Sequence, residues 1–308
     1  MTQQPFHPVG AVQSHLFRIG GFLVCVTFSG ASANSIRLLP SFIPFATESE
    51  GGKHDNVLLE LTVDDSLRPP AQRELVRKFD TGNGDTVVYT LADGGYLFII
   101  RDIHGRDCCL LQASSKFDRC RCALNGNWTM RSFGLNDALM LAFAYASSFH
   151  HTLLIHASCV CHEGMAYPFI AKSGTGKSTH TSLWMAHIPN TELLNDDNPI
   201  IRICSEGYPE VYGSPWSGKT PCYRNVKARL GAITRIERAP SNSIEQLKPV
   251  QAFASLLPAC SSMKWDHTIY NNLCDTVAQV IEKTKVFTLH CLPDAEAALL
   301  CQKTIVCP

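Results

Sequence analysis

Ala171-Lys-Ser-Gly-Thr-Gly-Lys-Ser-Thr179 is the stretch on which the reading of this chain turns. It follows the apolar run Tyr167-Pro-Phe-Ile170 and leads into Ser178-Thr-His-Thr-Ser-Leu-Trp-Met-Ala-His187. The first run predicts a buried strand and the second a helix, so the glycines fall in a strand-to-helix turn. A turn of this kind aims successive backbone N–H groups and a helix N-terminus at phosphate oxygens. Ser173, Gly174, Thr175, Gly176, Lys177, Ser178 and Thr179 are therefore the candidate nucleotide-binding residues. Lys177 is expected to reach the β- and γ-phosphates, and the Ser178 hydroxyl to ligate Mg²⁺. Ala171 stands where the usual pattern has its first glycine, while the Ser-Gly-Thr-Gly-Lys-Ser core is intact. The plainer alternative is a Gly/Ser turn beside an exposed lysine; the flanking strand and helix favour the phosphate loop.

With 308 residues the chain can bury a substantial core, and a prior of about 150 residues per domain suggests two domains or lobes. Apolar residues at 45% and charged residues at 18% are those of a globular protein. The formal net charge is zero and there is no Lys/Arg block, which argues against nucleic acid or an acidic membrane surface as a partner. The start, Met1-Thr-Gln-Gln-Pro-Phe-His7, lacks a basic segment followed by an apolar one, and no run reaches the length of a membrane span. A cytoplasmic location is the expectation. The 14 cysteines are scattered without a disulfide framework or zinc-type spacing, so reduced thiols are expected.

The first part of the chain, residues 1–133, reads as a β-rich lobe. His15 to Phe28 is β-branched and aromatic, with Gly20-Gly21 as a turn or a bulge. Val57 to Val63 alternates as a strand, and two apolar runs flank Ala92-Asp-Gly-Gly95 as a hairpin. No catalytic grouping stands out there. At Gly134 the composition turns to alanine and leucine, which predicts a buried helix capped by Asn136 or Asp137 and opening a second domain, residues 134–308. His151 to Cys161 then reads as one strand carrying His156, turning at Glu163-Gly164 into the strand before the loop. Beyond the loop helix, Leu193-Leu-Asn-Asp-Asp197 predicts a strand presenting acids beside the phosphate site, although Asn-Asp-Asp-Asn-Pro199 also makes a good turn. Tyr212-Gly-Ser-Pro-Trp-Ser-Gly-Lys-Thr220 is either a surface turn or a substrate loop, with Trp216, Ser217 and Lys219 as the candidate acceptor contacts. A strand over 228–236, a helix opening after Asn242, a helix over 271–283, a strand over 285–290 and a terminal helix from Pro293 complete an α/β (α+β) pattern with a mixed sheet.

Taken together, His156-Ala-Ser, the loop Ser173 to Thr179 and Leu194-Asn-Asp-Asp197 resemble the catalytic domain of HPr kinase/phosphorylase and other proteins of the phosphoenolpyruvate-carboxykinase fold. The resemblance covers about residues 134–308 and implies a P-loop catalytic domain. It implies that Asp196 is the general base, that Asp197 and Ser178 hold the metal, that His156 sits against Asp196, and that Lys177 neutralises the transferring phosphoryl group. HPr kinases carry Glu where Thr179 stands, and Ser-Pro-Trp-Ser-Gly-Lys replaces their capture segment; carboxykinases are longer and use further metal ligands. The implied activity is Mg²⁺-dependent transfer from a nucleotide, with ATP, ADP or pyrophosphate open as donor, to a serine-like hydroxyl of a small molecule or peptide. A non-catalytic nucleotide sensor and a phosphorylase running in reverse are the alternatives. Relatives often form homo-oligomers.

Overall fold

The computed structural model describes residues 10–30, 33–48, 57–80 and 84–306, with side chains from Val12 onward; the segment Met1 to His7 lies outside the described residues. The described residues form two compact units, those up to Arg18 with those from Phe22 to Ala146, and Ile19–Gly21 with those from Ser147 onward.

The first unit is built on β1 (Gly10–Ile19), β2 (Phe22–Gly30), β3 (Ala46–Thr47), β4 (Val57–Val63), β5 (Arg73–Asp80), β6 (Asp85–Leu91), β7 (Tyr96–Arg101), β8 (Asp107–Ala113) and β9 (Arg119–Leu124). They make one mixed sheet in the order β3-β1-β2-β4-β9-β8-β7-β6-β5. β4 runs parallel to both β2 and β9, and the strands from β9 to β5 form an antiparallel meander. Gly20 and Gly21, at φ 58° and 80°, make a turn rather than a bulge. β5 and β9 were not expected, because their residues are mostly polar or alternate arginine with cysteine; β5 is a charged edge strand, where such composition discourages further pairing.

Helix α1 (Trp128–Ser148) belongs to this first unit, so the division falls after Ala146 and not before Gly134. Its start is also earlier than expected: the Asn127 side chain accepts the Met130 N–H at 3.1 Å, and Asn136 and Asp137 lie inside the helix. Gly134 is required by packing and does not mark a helix end. It lies inside the helix where α1 crosses β8, and a Cβ there would sit 2.8 Å from the Cys109 side chain and 2.9 Å from the Cys108 carbonyl. Tyr145 stacks on Phe98 and meets Phe117 edge-on, which ties the helix to the sheet. At the other end, Arg131 bonds to Asp65 at 2.6 Å and to the Leu124 carbonyl at 2.8 Å.

The second unit contains β10 (Thr152–Leu154), β11 (Ala157–His162), β12 (Met165–Ile170), α2 (Lys177–His187), β13 (Thr191–Asp197), β14 (Ile200–Ile203), β15 (Pro209–Tyr212), β16 (Lys227–Leu230), β17 (Ala232–Arg238), β18 (Ser243–Gln246), α3 (Pro249–Leu256), α4 (His267–Lys283), β19 (Lys285–Cys291) and α5 (Ala295–Ile305). Ten strands make a mixed sheet in the order β10-β14-β15-β16-β12-β17-β19-β18, with β11 pairing both β12 and β13. β12, which delivers the loop, is antiparallel to β11 and parallel to β16 and β17. Alternate residues of β12 serve opposite cores: Phe169 packs with Trp184 of α2 and Ala298 of α5, and Ile170 packs with Leu256 of α3 and Val277 of α4. The sheet is thus covered on both faces.

Three expectations for this unit are corrected. The 228–236 strand is two strands, β16 and β17, separated at Gly231. Residues 243–246 are a strand, not a helix: the Asn242 side chain, expected as a cap, instead accepts the Leu292 N–H at 2.8 Å and donates to Asp294 at 3.0 Å. The 151–161 strand breaks at Ile155-His156, whose N–H groups donate to Pro199 and Ala259 carbonyls rather than to the ladder. Among the described residues the thirteen cysteines are free thiols, and no helix is long and apolar enough to cross a membrane.

Candidate phosphate and acid site

The loop between β12 and α2 takes its shape from glycine. Gly174 and Gly176 have φ 76° and 128°, values that a side chain resists, and an added Cβ at either would meet no atom within 4 Å. Ala171 packs into the core on the α2 face, so this departure from the usual pattern is absorbed by packing. α2 begins at Lys177 without a side-chain cap, and its first turn leaves N–H groups unused, as any helix start does. The Lys177 ammonium reaches His156 Nε2 at 3.0 Å. Burial lowers its pKa below the ordinary lysine value, against the opposing pull of Asp197 and Asp196.

The acids end β13, and a β-bulge decides where each one goes. Val160 pairs with Leu193, but Cys159 pairs with Asn195, so Leu194 is the extra residue. Past the bulge, Ser158 faces Asp196 and Ala157 faces Asp197. Ser158 Oγ meets Thr181 of α2 at 3.1 Å, whereas Ala157 belongs to the core under α3 and α4. Cross-strand partners share a face. Asp196 therefore stands under α2 and accepts the Ser178 hydroxyl at 2.9 Å, while Asp197 stands on the other face with its Oδ1 3.2 Å from His156 Nε2.

This reverses the expected pairings of His156 with Asp196 and of Ser178 with Asp197. Unbroken alternation from Leu193 would have set Asp196 opposite Ala157, beside His156; one bulged residue shifts the phase and exchanges the two carboxylates. Asp197 is held at φ 131°, outside the region favoured by side-chain-bearing residues, and its Oδ2 accepts from Asn198 at 2.8 Å. His156 Nε2 can accept from Lys177 or donate to Asp197, one at a time.

The loop after β15 is tied to the acid strand. Asn195 Nδ2 donates to the Ser214 and Trp216 carbonyls at 3.3 and 3.2 Å, and the Gly218 N–H donates to the Asp196 carbonyl. Trp216 is buried at 2% exposure, so it is not an open acceptor contact. Ser217 Oγ is engaged with the Asp196 and Thr220 carbonyls at 3.0 and 2.7 Å and accepts the Cys222 N–H at 3.1 Å. Both residues fasten the loop through bonds their sequence did not signal. Lys219 alone of the three is presented to solvent.

The donor set suits Mg²⁺. Ser178 Oγ and Asp196 Oδ1 are hard oxygens 2.9 Å apart, the edge of an octahedron with bonds of about 2.0–2.1 Å. Among the described residues no three His, Cys, Asp or Glu side chains form a metal cluster; Mg²⁺ in general takes much of its shell from water and substrate phosphate. Asp196 Oδ2 accepts the Thr220 N–H at 3.4 Å, a contact that the sequence did not reveal. Asn195 and Asn198 were visible in the acid run but not as its supports, and Arg238, whose guanidinium bonds the loop, lies 63 residues from Thr175 with no motif to announce it. Compared with known proteins, the chain matches no family model and no curated protein.

Proposed function

We propose that the chain is a Mg²⁺-dependent kinase that moves a phosphoryl group from a nucleotide, ATP in the first instance, to a serine-like hydroxyl of a small molecule or peptide. The observation that carries this reading is the convergence at one sheet end of the glycine loop, Lys177, the Ser178–Asp196 pair and the His156–Asp197 pair. The resemblance to HPr kinases and the carboxykinase fold supports it. Bound Mg²⁺ would be held by Ser178 and Asp196 and would neutralise charge on the phosphate oxygens. Asp197 is assigned as the base, since its side chain is 37% exposed whereas Asp196 is buried with both oxygens occupied. Asp197 takes the acceptor proton, the acceptor oxygen bonds to the γ-phosphorus, and the bond to the β–γ bridging oxygen breaks to release ADP. Lys177 moves from His156 to the phosphates, which leaves His156 Nε2 free to donate to Asp197.

The test is incubation of the full chain with labelled ATP, Mg²⁺ and a panel of serine-like compounds and peptides. Labelled product is expected, and Asp197→Asn should lower transfer about 10²–10⁴-fold with nucleotide affinity retained. Asp196→Asn should instead weaken Mg²⁺-dependent nucleotide binding. Saturable binding with no transfer to any acceptor would sink the kinase reading in favour of a sensor.

A further inference from the structure

Arg238 ends β17 and reaches across to the phosphate loop. Its Nε donates to the Thr175 carbonyl at 3.0 Å and its Nη2 to the Gly174 carbonyl at 2.6 Å. We infer that Arg238 is a positioning residue for phosphate binding: by holding two loop carbonyls it turns the Gly176 N–H toward the bound phosphate. The inference rests on the phosphate-loop reading above.

In a trans peptide the C=O of one residue and the N–H of the next point in opposite directions, and no described peptide is cis. Fixing the Gly174 carbonyl on Arg238 turns the Thr175 N–H the other way, where it donates to the Lys172 carbonyl at 3.2 Å and closes the turn. Fixing the Thr175 carbonyl turns the Gly176 N–H away from Arg238, and that N–H has no partner in the described chain. Glycine flanks these peptides at Gly174 and Gly176, and glycine also tolerates the flipped orientation, so the backbone does not hold this arrangement unaided. The guanidinium supplies the missing constraint because its planar fork bonds both carbonyls at once.

Arg238 is itself well placed to be rigid. It pairs with Cys291 of β19, and the next residue, Ala239, donates its N–H to the Cys291 carbonyl at 3.2 Å. Its side-chain hydrogen bonds go to loop carbonyls and not to Asp196, Asp197 or His156, so it acts through the loop and not on the reacting atoms.

The experiment is calorimetric titration of the full chain and two variants, Arg238→Met and Arg238→Lys, with MgATP and with inorganic tripolyphosphate. Arg238→Met should weaken both ligands about ten- to a hundredfold, the effect of losing charge-assisted bonds that orient a binding group. Arg238→Lys keeps the charge but lacks the rigid planar fork that fixes the directions of two carbonyls, so it should remain at least about fivefold weaker than the unaltered protein. The ligand-free melting temperature should move by no more than about 2 °C, as for an exposed side chain. Unaltered affinity in Arg238→Met, or full recovery in Arg238→Lys, overturns the positioning role; so does a collapse of ligand-free stability in both variants. If the unaltered protein binds neither ligand, the phosphate-loop reading fails as well, a result distinct from variants that match a binding parent.

Discussion

Asp196 and Asp197 are neighbours in sequence, yet they stand on the two faces of the same sheet, and those faces are built differently. Under α2, Asp196 is 3% exposed, and Trp184, at 0%, packs on Tyr167 and Phe169. On the face shared with α3 and α4, the side chains of Asp197 and His156 remain 37% and 43% exposed, and the backbone of Asp197 is held at positive φ. A closed, packed face suits a carboxylate whose partner is a fixed ion. An open and conformationally costly face suits one that must meet and release a substrate. On the proposed reading, holding the ion and reacting with the acceptor fall to two consecutive residues on opposite faces.

If the α2 face is a packed support, truncating its largest side chain should do the greatest damage. Trp184 also donates its indole N–H to His180 Nε2 at 3.1 Å, so Trp184→Ala leaves a cavity and an orphaned acceptor. A loss of about 3–5 kcal/mol is expected by denaturant unfolding. A loss below about 1 kcal/mol would show that this face is not tightly packed.

The same burial makes a pH prediction. Desolvation lowers the His180 pKa from its ordinary value to about 4. Between the unfolded value and that value the folded state binds fewer protons than the unfolded chain, so stability is retained near neutrality and falls as pH drops toward about 4, by up to about 3 kcal/mol in all. Asp137 of the first unit, pushed up by burial to about 7, acts in the opposite sense over part of this range. The clean measurement is therefore the stability difference between the unaltered protein and His180→Asn across pH. A difference that does not narrow on acidification counts against the prediction.

The smallest effect tests the other face. Asp197→Gly removes the strain of a positive φ and should raise stability by about 1 kcal/mol while transfer is lost. Asp196→Gly, on the packed face and deprived of its bond to Ser178, should lower stability instead. Equal signs for the two glycine variants would show that the faces do not differ in the way described.

Much of this was legible in advance, and the limits were local in origin. The strand, glycine turn and helix around Lys177 depend on residues within one short segment, so periodicity and glycine placement suffice to read them. The meander of the first unit was legible from its turns, apart from β5 and β9, whose composition hides their pairing. The start of α1 is not legible locally because Gly134 answers to a strand distant in sequence and not to the helix. From sequence His156 reads as part of a strand, because nothing in its own segment shows that the Pro199 and Ala259 carbonyls draw the backbone at Ile155-His156 out of the ladder.

The amino-acid sequence by itself determined the strand, glycine turn and helix around Lys177, the mixed α/β character of the second unit and which acids, lysine and histidine lie in the candidate segments. Only the tertiary structure decided which acid faces Ser178 and which faces His156, that Trp216 and Ser217 are fastenings, and that Arg238 grips the loop. The physical reason is that a motif records residue types along one strand, whereas face and partner depend on register between strands. One bulged residue at Leu194 reverses that register without changing any letter of the motif.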